Sequence, residues 1–520
     1  MSERGRRGIT RDVVSQIASL PAPVGGWNAR SPLEAMKADE AITLENWVAT
    51  PEGVVLRMGN EEYATGLGAP VESLMEYAAP ALASRKMFAA AGTSIWEVSA
   101  PGAGVAAVTG LTNARWQHTM CSTGAGNFLY AVNGADAPRF FNGTSWASSV
   151  LTGVTASSLV NVCLHKARLW FCQNDSLKAW YLPPLEIGAV SSAAAAIDLG
   201  AFFKLGGYLQ AIGTWSRDGG DGSDDAWVAI SSEGEVAIYT GTDPTSAATW
   251  ALVGVYRIPK PIGRRCFVKA GADLGILTTD GLISLSETLP LPGGAQRKAA
   301  ITDKISPAFG LAWQTGKDFF GWQCVEVPAE NLVMVNVPIE SGRVDQFVMC
   351  TENGAWSRWT GIKARSVGVY NNRLLFGMDD GTIWIYRQGQ IEDHSDVTTP
   401  ITATMQTAFS PMGRGYRKRV TMIKPLMQGP PGYLPRFNIR VDFDRTAPSL
   451  SVVSAELGGS LWDVENWDEA EWATRPVQIS KLQSATGFGT NVSVAFAVQS
   501  DVKIILSRFD IVFEPSQGII

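Results

Sequence analysis

Short apolar stretches and polar turns alternate along most of the chain, from about residue 42 to residue 389. Each unit starts with an alternating or apolar stretch typical of a strand, passes through a turn of Gly, Asn and Asp, and returns in a second such stretch. This pattern predicts β-hairpins, and the Asp-Gly pair at residues 280–281 favours a type I′ turn, in which both central residues have positive φ. Hairpins of this kind occur at residues 86–98, 127–134, 167–175, 227–239, 274–285 and 373–386.

The spacing of the hairpins predicts a β-propeller, because roughly 40 to 50 residues is the length of a four-stranded blade. We expect about seven blades, within a range of six to eight, and a strand near residues 53–58 that completes the last blade. An array of β-sandwiches is the competing interpretation. A closed ring is favoured because it protects the sheet edges. The units lie near residues 72–98, 113–150, 157–187, 206–257, 262–300, 319–360 and 361–390.

The two ends of the chain differ from this body. Residues 1–41 read as an extended N-terminal arm that becomes ordered by packing on another surface, often a neighbouring subunit. Residues 42–395 form the predicted propeller. Residues 396–520 contain longer strands and a segment rich in Trp and acidic residues at 462–472, which predicts a separate β-sandwich-like domain. The fold class is therefore all-β, with three parts.

Composition supports many short strands joined by tight turns. Charged residues make up only 18% of the chain, while it contains 53 Gly, 27 Pro, 18 Trp and 20 Phe. Glycine supplies the turns, and aromatic rings fill the space between packed sheets. The formal net charge of −6 argues against a protein that wraps DNA over its whole surface, but it allows a pore through which DNA passes.

The six cysteines form no CxxC pair, and a chain of 520 residues does not need disulfide staples. We expect buried free thiols in a protein made in a reducing cytoplasm. The first residues contain no apolar signal segment, and no stretch reaches the ~20 apolar residues of a membrane span. The cysteines are Cys121, Cys163, Cys172, Cys266, Cys324 and Cys350.

Catalytic motifs are not evident. The histidines, His118, His165 and His394, lie in unrelated segments without metal-ligand or triad spacing. No nucleophile elbow, Walker or Rossmann pattern occurs in its required context. A glycosidase needs only two carboxylates, so a propeller hydrolase stays open as an alternative.

One glycine-rich loop at residues 216–225 concentrates carboxylates. The carboxylates of such a loop can bind one hard cation such as Ca²⁺, which takes six to eight oxygen ligands. The closing Glu of an EF-hand is missing, and an exposed acidic turn between blades is the simpler interpretation. We expect no cofactor, with calcium as the one candidate. The candidate ligands are Asp218, Asp221, Asp224 and Asp225.

Two basic clusters are candidates for subunit or phosphate contacts. One lies in the N-terminal arm, and the other in a turn of the C-terminal domain with Tyr416. In a protein of negative net charge, solvated or subunit-contacting charge is favoured over phosphate binding. The clusters are Arg4, Arg6, Arg7 and Arg11, and Arg414, Arg417, Lys418 and Arg419.

Several segments together resemble a known family. They are residues 23–33 (PVGGWNARSPL), 39–47 (DEAITLENW) and 54–59 (VVLRMG), with weaker likeness at 89–95, 114–118, 130–134 and 400–407. The sequence resembles the tail hub or nozzle proteins of short-tailed bacteriophages. This group includes packaged-DNA stabilisation proteins and, more distantly, tail tubular protein B.

The resemblance implies a structural virion protein and no enzyme. It implies a hexameric ring below the portal and its adaptor ring, with a propeller in each subunit. Such a ring continues the DNA channel, helps to retain packaged DNA, and docks tail fibres or a plug. DNA would pass without sequence-specific binding. The alternatives are a receptor- or glycan-binding propeller and the propeller hydrolase.

Overall fold

The protein is described here from a computed structural model, which covers residues 14–216, 225–271, 273–387, 391–394, 397–413, 415–429, 435–453 and 477–516. The chain folds into two compact units. One comprises Met58–Gln388 with Glu392–Thr398. The other comprises Met1–Arg57, Gly389–Ile391 and Thr399–Ile520.

The first unit is a β-propeller. Seven antiparallel sheets follow one another along the chain, and the first strand of each contacts a strand of the next sheet until the seventh meets the first. Six sheets are complete four-stranded blades, and sheet 5 has three strands. The predicted propeller is confirmed, but with six complete blades where the sequence predicted about seven.

The strands of the seven sheets are, in order from the inner strand outward: sheet 1, Val71–Tyr77, Lys86–Ala91, Ser94–Glu97 and Val105–Val108; sheet 2, Gln117–Thr123, Gly126–Val132, Arg139–Phe141 and Trp146–Ser148; sheet 3, Leu159–His165, Arg168–Gln173, Lys178–Tyr181 and Ala195–Asp198; sheet 4, Leu209–Trp215, Ala226–Ser231, Glu235–Gly241 and Trp250–Arg257; sheet 5, Phe267–Ala270, Asp273–Thr278 and Gly281–Ser284; sheet 6, Gln323–Val327, Leu332–Glu340, Arg343–Cys350 and Ala355–Trp359; sheet 7, Ala364–Tyr370, Arg373–Met378, Ile383–Tyr386 and Asn60–Thr65.

The propeller closes through Asn60–Thr65, which pairs antiparallel with Ile383–Tyr386 as the outer strand of sheet 7. The strand expected near residues 53–58 does not do this. Gly53–Leu56 instead forms a hairpin with Trp47–Thr50 in the other unit. Closure therefore joins a strand near the start of the propeller to its last sheet by hydrogen bonds.

Aromatic side chains fill the space between the blades, as expected. Between sheets 3 and 4, Trp170 stacks on Trp250 with ring centroids 5.4 Å apart, and Trp250 stacks on Tyr239 at the same distance. Trp227 meets Trp170 at 4.8 Å. Burying rings of this size between sheets supplies much of the free energy that holds neighbouring blades together.

The hairpin at Asp280-Gly281 differs from the type I′ prediction. Thr278 pairs directly with Gly281, so the two loop residues are Thr279 and Asp280. Only Gly281 has positive φ, at 120°. The glycine therefore opens the return strand with a positive φ, which glycine adopts without strain.

Helices are short and few among the described residues. Ser306–Gly316 begins with Pro307 in its first turn and lies against Leu332–Glu340, with Phe309 fully buried. The other helices are the α-helices Leu285–Thr288 and Gly293–Lys298, and the 3₁₀ turns Leu82–Ser84, Ala156–Ser158, Leu199–Ala201, Asp303–Ile305 and Pro328–Glu330. Short strands outside the blades are Gly102–Ala103, Leu151–Thr152 and Ser192–Ala193. Asp393 of the strand Ile391–His394 pairs parallel with Glu61 of Asn60–Thr65.

The second unit is a β-sandwich built from both ends of the chain. One sheet contains Gln16–Pro21, Trp47–Thr50, Gly53–Leu56, Lys418–Gly429, Val477–Ile479, Gln483–Gly489 and Ile505–Pro515. The facing strands are Gly26–Trp27, Glu40–Glu45, Val397–Thr407, Phe437–Val441, Leu450–Val453 and Val492–Ser500.

Rings from both sheets meet in the core of the sandwich. Trp47 lies 6.1 Å from Phe496, and Phe437 lies 5.2 Å from Phe509, between ring centroids. The predicted C-terminal β-sandwich-like domain is therefore present.

The domain boundary predicted at residue 41 needs correction. Residues 14–57 do not form a separate arm, because Gln16–Pro21 pairs antiparallel with residues 508–513 of the last strand. The residues up to Arg57 therefore belong with the C-terminal strands, and the propeller begins at Met58.

Candidate functional site in the propeller channel

A cavity of about 710 Å³ lies along the inner strands of the propeller. Residues of sheets 1 to 6 line it, mostly from the first strand of each sheet or the residues just before that strand. It is therefore the central channel. Its charged and titratable lining residues are His118, Cys163, His165, Lys166, Asp225, Arg264, Arg265, Lys269 and Cys324.

Polar side chains on the inner strands bind the backbone of the neighbouring sheet. In sheet 1, the buried Ser73 Oγ donates to the Ala114 carbonyl at 2.6 Å and accepts from the Trp116 N–H at 2.8 Å, just before sheet 2. In sheet 7, Ser366 Oγ donates to the Val71 carbonyl of sheet 1 at 2.7 Å. These hydroxyls form hydrogen bonds with backbone groups that are not paired between the strands of a sheet.

Side-chain hydrogen bonds to the backbone also join sheets 6 and 7, here from an amide. Gln323 Nε2 donates to the Val367 carbonyl at 2.7 Å, and its Oε1 accepts from the Val367 N–H at 3.3 Å. The amide of Gln323 thus makes the two backbone hydrogen bonds that a residue of a paired strand would otherwise make. It links two inner strands that have no ladder between them.

Arg265, just before sheet 5, connects sheets 1, 2 and 6. Its Nη2 donates to Ser73 Oγ at 2.7 Å and to the Glu72 and Trp116 carbonyls at 2.8 and 3.2 Å. Its Nη1 donates to Gln323 Oε1 at 3.3 Å. Burial, together with the nearby Arg115, lowers the pKa of Arg265 to about 10, so it stays charged at neutral pH. A charged guanidinium is therefore fixed across the channel wall.

Between sheets 3 and 4, Thr214 is the central group. Its hydroxyl donates to the Leu164 carbonyl at 3.2 Å and lies 3.1 Å from His165 Nδ1. A hydroxyl has one proton, so donation to Leu164 leaves His165 Nδ1 as the donor of the second contact. Asn161 Oδ1 adds a bond from the Ile212 N–H at 3.2 Å.

Two channel histidines are neutral at physiological pH. Burial lowers the pKa of His165 to about 4, with Lys166 adding to the effect. Enclosure by protein lowers the pKa of His118 to about 4 as well, helped by the positive charge of Arg265, although its ring still meets water in the channel. Neither histidine has a pKa near neutral pH, where the pKa of an efficient general base lies.

The channel thiol is also unsuited to nucleophilic chemistry. Cys163 Sγ lies 3.8 Å from Thr214 Oγ1, and burial raises the pKa of its thiol to about 11. A reactive cysteine needs a pKa below its usual value, so that thiolate is present. All six cysteines are free thiols, five of them buried and Cys163 half-buried.

The predicted acidic metal site is described only in part. Asp218, Asp221 and Asp224 lie outside the described residues. Asp225 is 5% exposed, directly before the strand Ala226–Ser231, and lines the channel. In the described part of the chain, no group of three or more His, Cys, Asp or Glu is arranged to hold a metal ion.

Only part of the predicted basic clusters lies within the described residues. Arg4, Arg6, Arg7, Arg11 and Arg414 lie outside the described residues.

In the second cluster, strand alternation separates the remaining three cations. Arg417 and Arg419 are exposed, whereas the Lys418 side chain is buried and its Nζ donates to the Tyr416 and Thr490 carbonyls at 3.0 and 3.2 Å. Burial lowers the pKa of Lys418, against the opposing effect of Asp442. Lys418 is therefore a structural residue of the sandwich and not part of a contact patch.

The channel residues were not identified from the sequence. Ser73, Asn161, Thr214 and Gln323 are isolated polar residues in apolar strands. Their shared signal is a polar residue within the first strand of each hairpin unit. That signal becomes readable only when the blade boundaries are known.

None of the described helices is long and apolar enough to cross a membrane. No protein-family model and no curated protein matches the sequence.

Among solved structures, Sqt1 of Saccharomyces cerevisiae is similar at 10% identity and a TM-score of 0.37, covering 64% of this chain and 100% of that chain. The mitotic checkpoint complex matches at 10% identity and 0.34, over 62% and 96%. The designed protein Ika8 matches at 12% and 0.32, over 66% and 96%. Likenesses this weak say nothing of activity, and the propeller assignment rests on the strand pairing described above.

Proposed function

We propose that this protein is a structural, ring-forming subunit of the tail of a short-tailed bacteriophage, with no reaction of its own. Six copies would form a nozzle or hub below the portal and adaptor rings. The ring would continue the DNA channel, help to retain packaged DNA, and dock fibres or a plug. The protein would be made in the bacterial cytoplasm and reside in the virion tail.

The edge strand Gln16–Pro21 carries the assembly part of this proposal. In the described part of the chain it pairs on one side only, with the last strand, Ile505–Pro515. Val14 and Ile17 are each 71% exposed. An edge strand with open backbone groups and apolar side chains is a template for pairing with another chain. Its place directly after residues 1–13 suits contact with a neighbouring subunit.

The chemistry of the channel supports a scaffold over an enzyme. Ser73, Thr214, Gln323 and Arg265 are engaged in hydrogen bonds between sheets. The histidines are neutral and the Cys163 thiol is protonated at neutral pH. Groups held in this way stabilise a rigid ring of blades, on which loops and edges offer binding surfaces.

The phage-tail part of the proposal is supported by the resemblance of residues 23–33, 39–47 and 54–59 to tail hub proteins. The net charge of −6 fits DNA passage without adhesion, because like charge raises the energy of phosphate contact. An acidic or neutral lumen of the assembled ring is expected.

The assembly is tested by changing the exposed edge residue. Ile17→Lys places a charge on the edge strand, which disfavours edge pairing, and should shift the protein from ring to monomer in mass photometry. Val253→Lys is the matched control, since Val253 is 53% exposed on the outer strand of sheet 4. A wild-type protein that is monomeric, or a ring unaffected by Ile17→Lys, would contradict the role of this edge.

A further inference from the structure

A second cavity of about 330 Å³ opens beside the start of the inner strands of sheets 2, 3, 5 and 6. Arg264, Arg265 and Gln117 line both this cavity and the channel. We call it the entry pocket. Its full lining is Arg115, Gln117, Asn133, Val160, Asn174, Ile262, Gly263, Arg264, Arg265, Trp313, Lys317, Phe319, Phe320, Gly321 and Trp322.

The entry pocket concentrates positive charge. Arg115, Arg264, Arg265 and Lys317 line it, and none of its lining residues is Asp or Glu. Arg115 Nε lies 3.1 Å from Glu72 Oε1, outside the lining. In the described part of the chain, no carboxylate lies within ion-pair distance of Arg264, Arg265 or Lys317. Three of the four cations therefore have no ion-pair partner there.

The guanidinium groups are fixed in place. Arg115 and Arg265 lie 4.6 and 5.3 Å from the centre of the Phe320 ring. Arg264 lies 4.9 Å from the Tyr208 ring, and its Nη1 donates to the Leu209 carbonyl at 2.6 Å. Planar donors held by rings and backbone lose little freedom on binding, and their geometry matches a carboxylate.

Aromatic side chains form part of the remaining wall. Trp313 and Trp322 meet edge to face at 5.7 Å, and Trp322 Nε1 donates to the Gly316 carbonyl at 3.0 Å. Trp313, Phe319 and Phe320 are half-buried and so keep surface open to a ligand. An apolar wall beside fixed cations suits a carboxylate attached to an apolar chain more than a small hydrated ion.

We infer that the entry pocket binds an acidic side chain of a partner polypeptide, with an adjacent apolar side chain against Trp313 and Phe320. The inference deepens the proposed function, since it names how one face of the propeller holds a partner. The positive charge of the pocket and the carboxylate of the partner would neutralise each other. The pocket volume admits one or two side chains of an extended segment.

The test uses the full-length protein and a fluorescein-labelled peptide in which glutamate and phenylalanine alternate. Fluorescence anisotropy should show binding that weakens as salt is raised, and the same peptide with glutamine in place of glutamate should not bind. Lys317→Gln and Arg115→Gln should each weaken binding about threefold, and the double variant about tenfold.

Lys298→Gln is the matched control. Lys298 is also an exposed lysine at the end of a helix, Gly293–Lys298, but does not line the pocket. Its binding should equal that of the wild type. The inference fails if the glutamine peptide binds equally, if Lys298→Gln weakens binding as much as Lys317→Gln, or if phenyl phosphate binds while the peptide does not.

The particle mass of the same samples separates this inference from the proposed function. A ring that does not bind the peptide overturns the pocket assignment alone. A monomer that binds the peptide overturns the ring assignment alone.

Discussion

Ser73 shows how single polar residues hold the propeller closed. Its hydroxyl serves the Ala114 carbonyl, the Trp116 N–H and the Arg265 guanidinium at once. Removing one partner from a buried set leaves the others without hydrogen bonds, which costs more than the bond itself contributes.

Ser73→Ala should therefore lower the free energy of unfolding by about 1–3 kcal/mol, measured by denaturant titration. Ser122→Ala, at an exposed serine of sheet 2, is the control and should change it by less than about 0.5 kcal/mol. Equal effects of the two changes would show that Ser73 does not have this role.

His165 gives the channel a defined pH dependence. Its folded-state pKa is about 4, below the 6.5 of the unfolded chain, so the unfolded state binds more protons between these values. The stability from the neutral ring is complete above pH 6.5 and is lost as the pH falls toward 4. His165 is 2% exposed, so the shift corresponds to about 3 kcal/mol.

The free energy of unfolding should fall between pH 7.5 and pH 4.5, and less steeply in His165→Gln. His118→Gln should reduce the slope by a similar amount, because the pKa of His118 is lowered to about 4 as well. An identical slope for wild type and His165→Gln would refute the assignment.

At the scale of elements, the helix Ser306–Gly316 packs closely on sheet 6. A Cβ at Gly316 would overlap the Pro338 carbonyl oxygen, while a Cβ at Gly310 in the same helix meets open space. Gly316→Ala should thus lower the melting temperature of the propeller, by the equivalent of about 1–3 kcal/mol.

Gly310→Ala provides the internal comparison. It should raise stability by about 0.5–1 kcal/mol, because alanine loses less backbone entropy than glycine in a helix. If Gly316→Ala were also stabilising, the close packing of this helix on the strand Leu332–Glu340 would be contradicted.

Individual hairpins could be predicted from the sequence better than the pairing of distant strands. The hairpins follow from alternation and turn residues, which are local signals. The pairing of Gln16–Pro21 with residues 508–513 joins the two chain ends, and nothing in either segment specifies the other. The helix Ser306–Gly316 was not predicted, because Pro307, Gly310 and Gly316 are poor helix formers and tertiary packing decides its conformation.

The candidate site was less predictable than the fold. The channel depends on which strand of each sheet lies innermost, a property of the closed ring. The entry pocket likewise joins Arg115, Arg265, Lys317 and Phe320 from distant parts of the chain. The basic cluster at residues 414–419 was visible in the sequence, yet strand alternation buries Lys418 and separates it from Arg417 and Arg419.

At the scale of the whole molecule, one unit is a closed ring of blades and the other is a sandwich built from strands near both ends of the chain. Side-chain hydrogen bonds join the inner strands of neighbouring sheets of the propeller. We propose that the strand Gln16–Pro21, which pairs on one side only in the described part of the chain, serves assembly.

The symmetry of the assembled particle tests this account most directly. Electron microscopy of the full-length protein, with class averages of the particles viewed along their axis, should show rings of six copies around an open channel. A monodisperse monomer at micromolar concentration, or an assembly without sixfold symmetry, would contradict the ring-forming role.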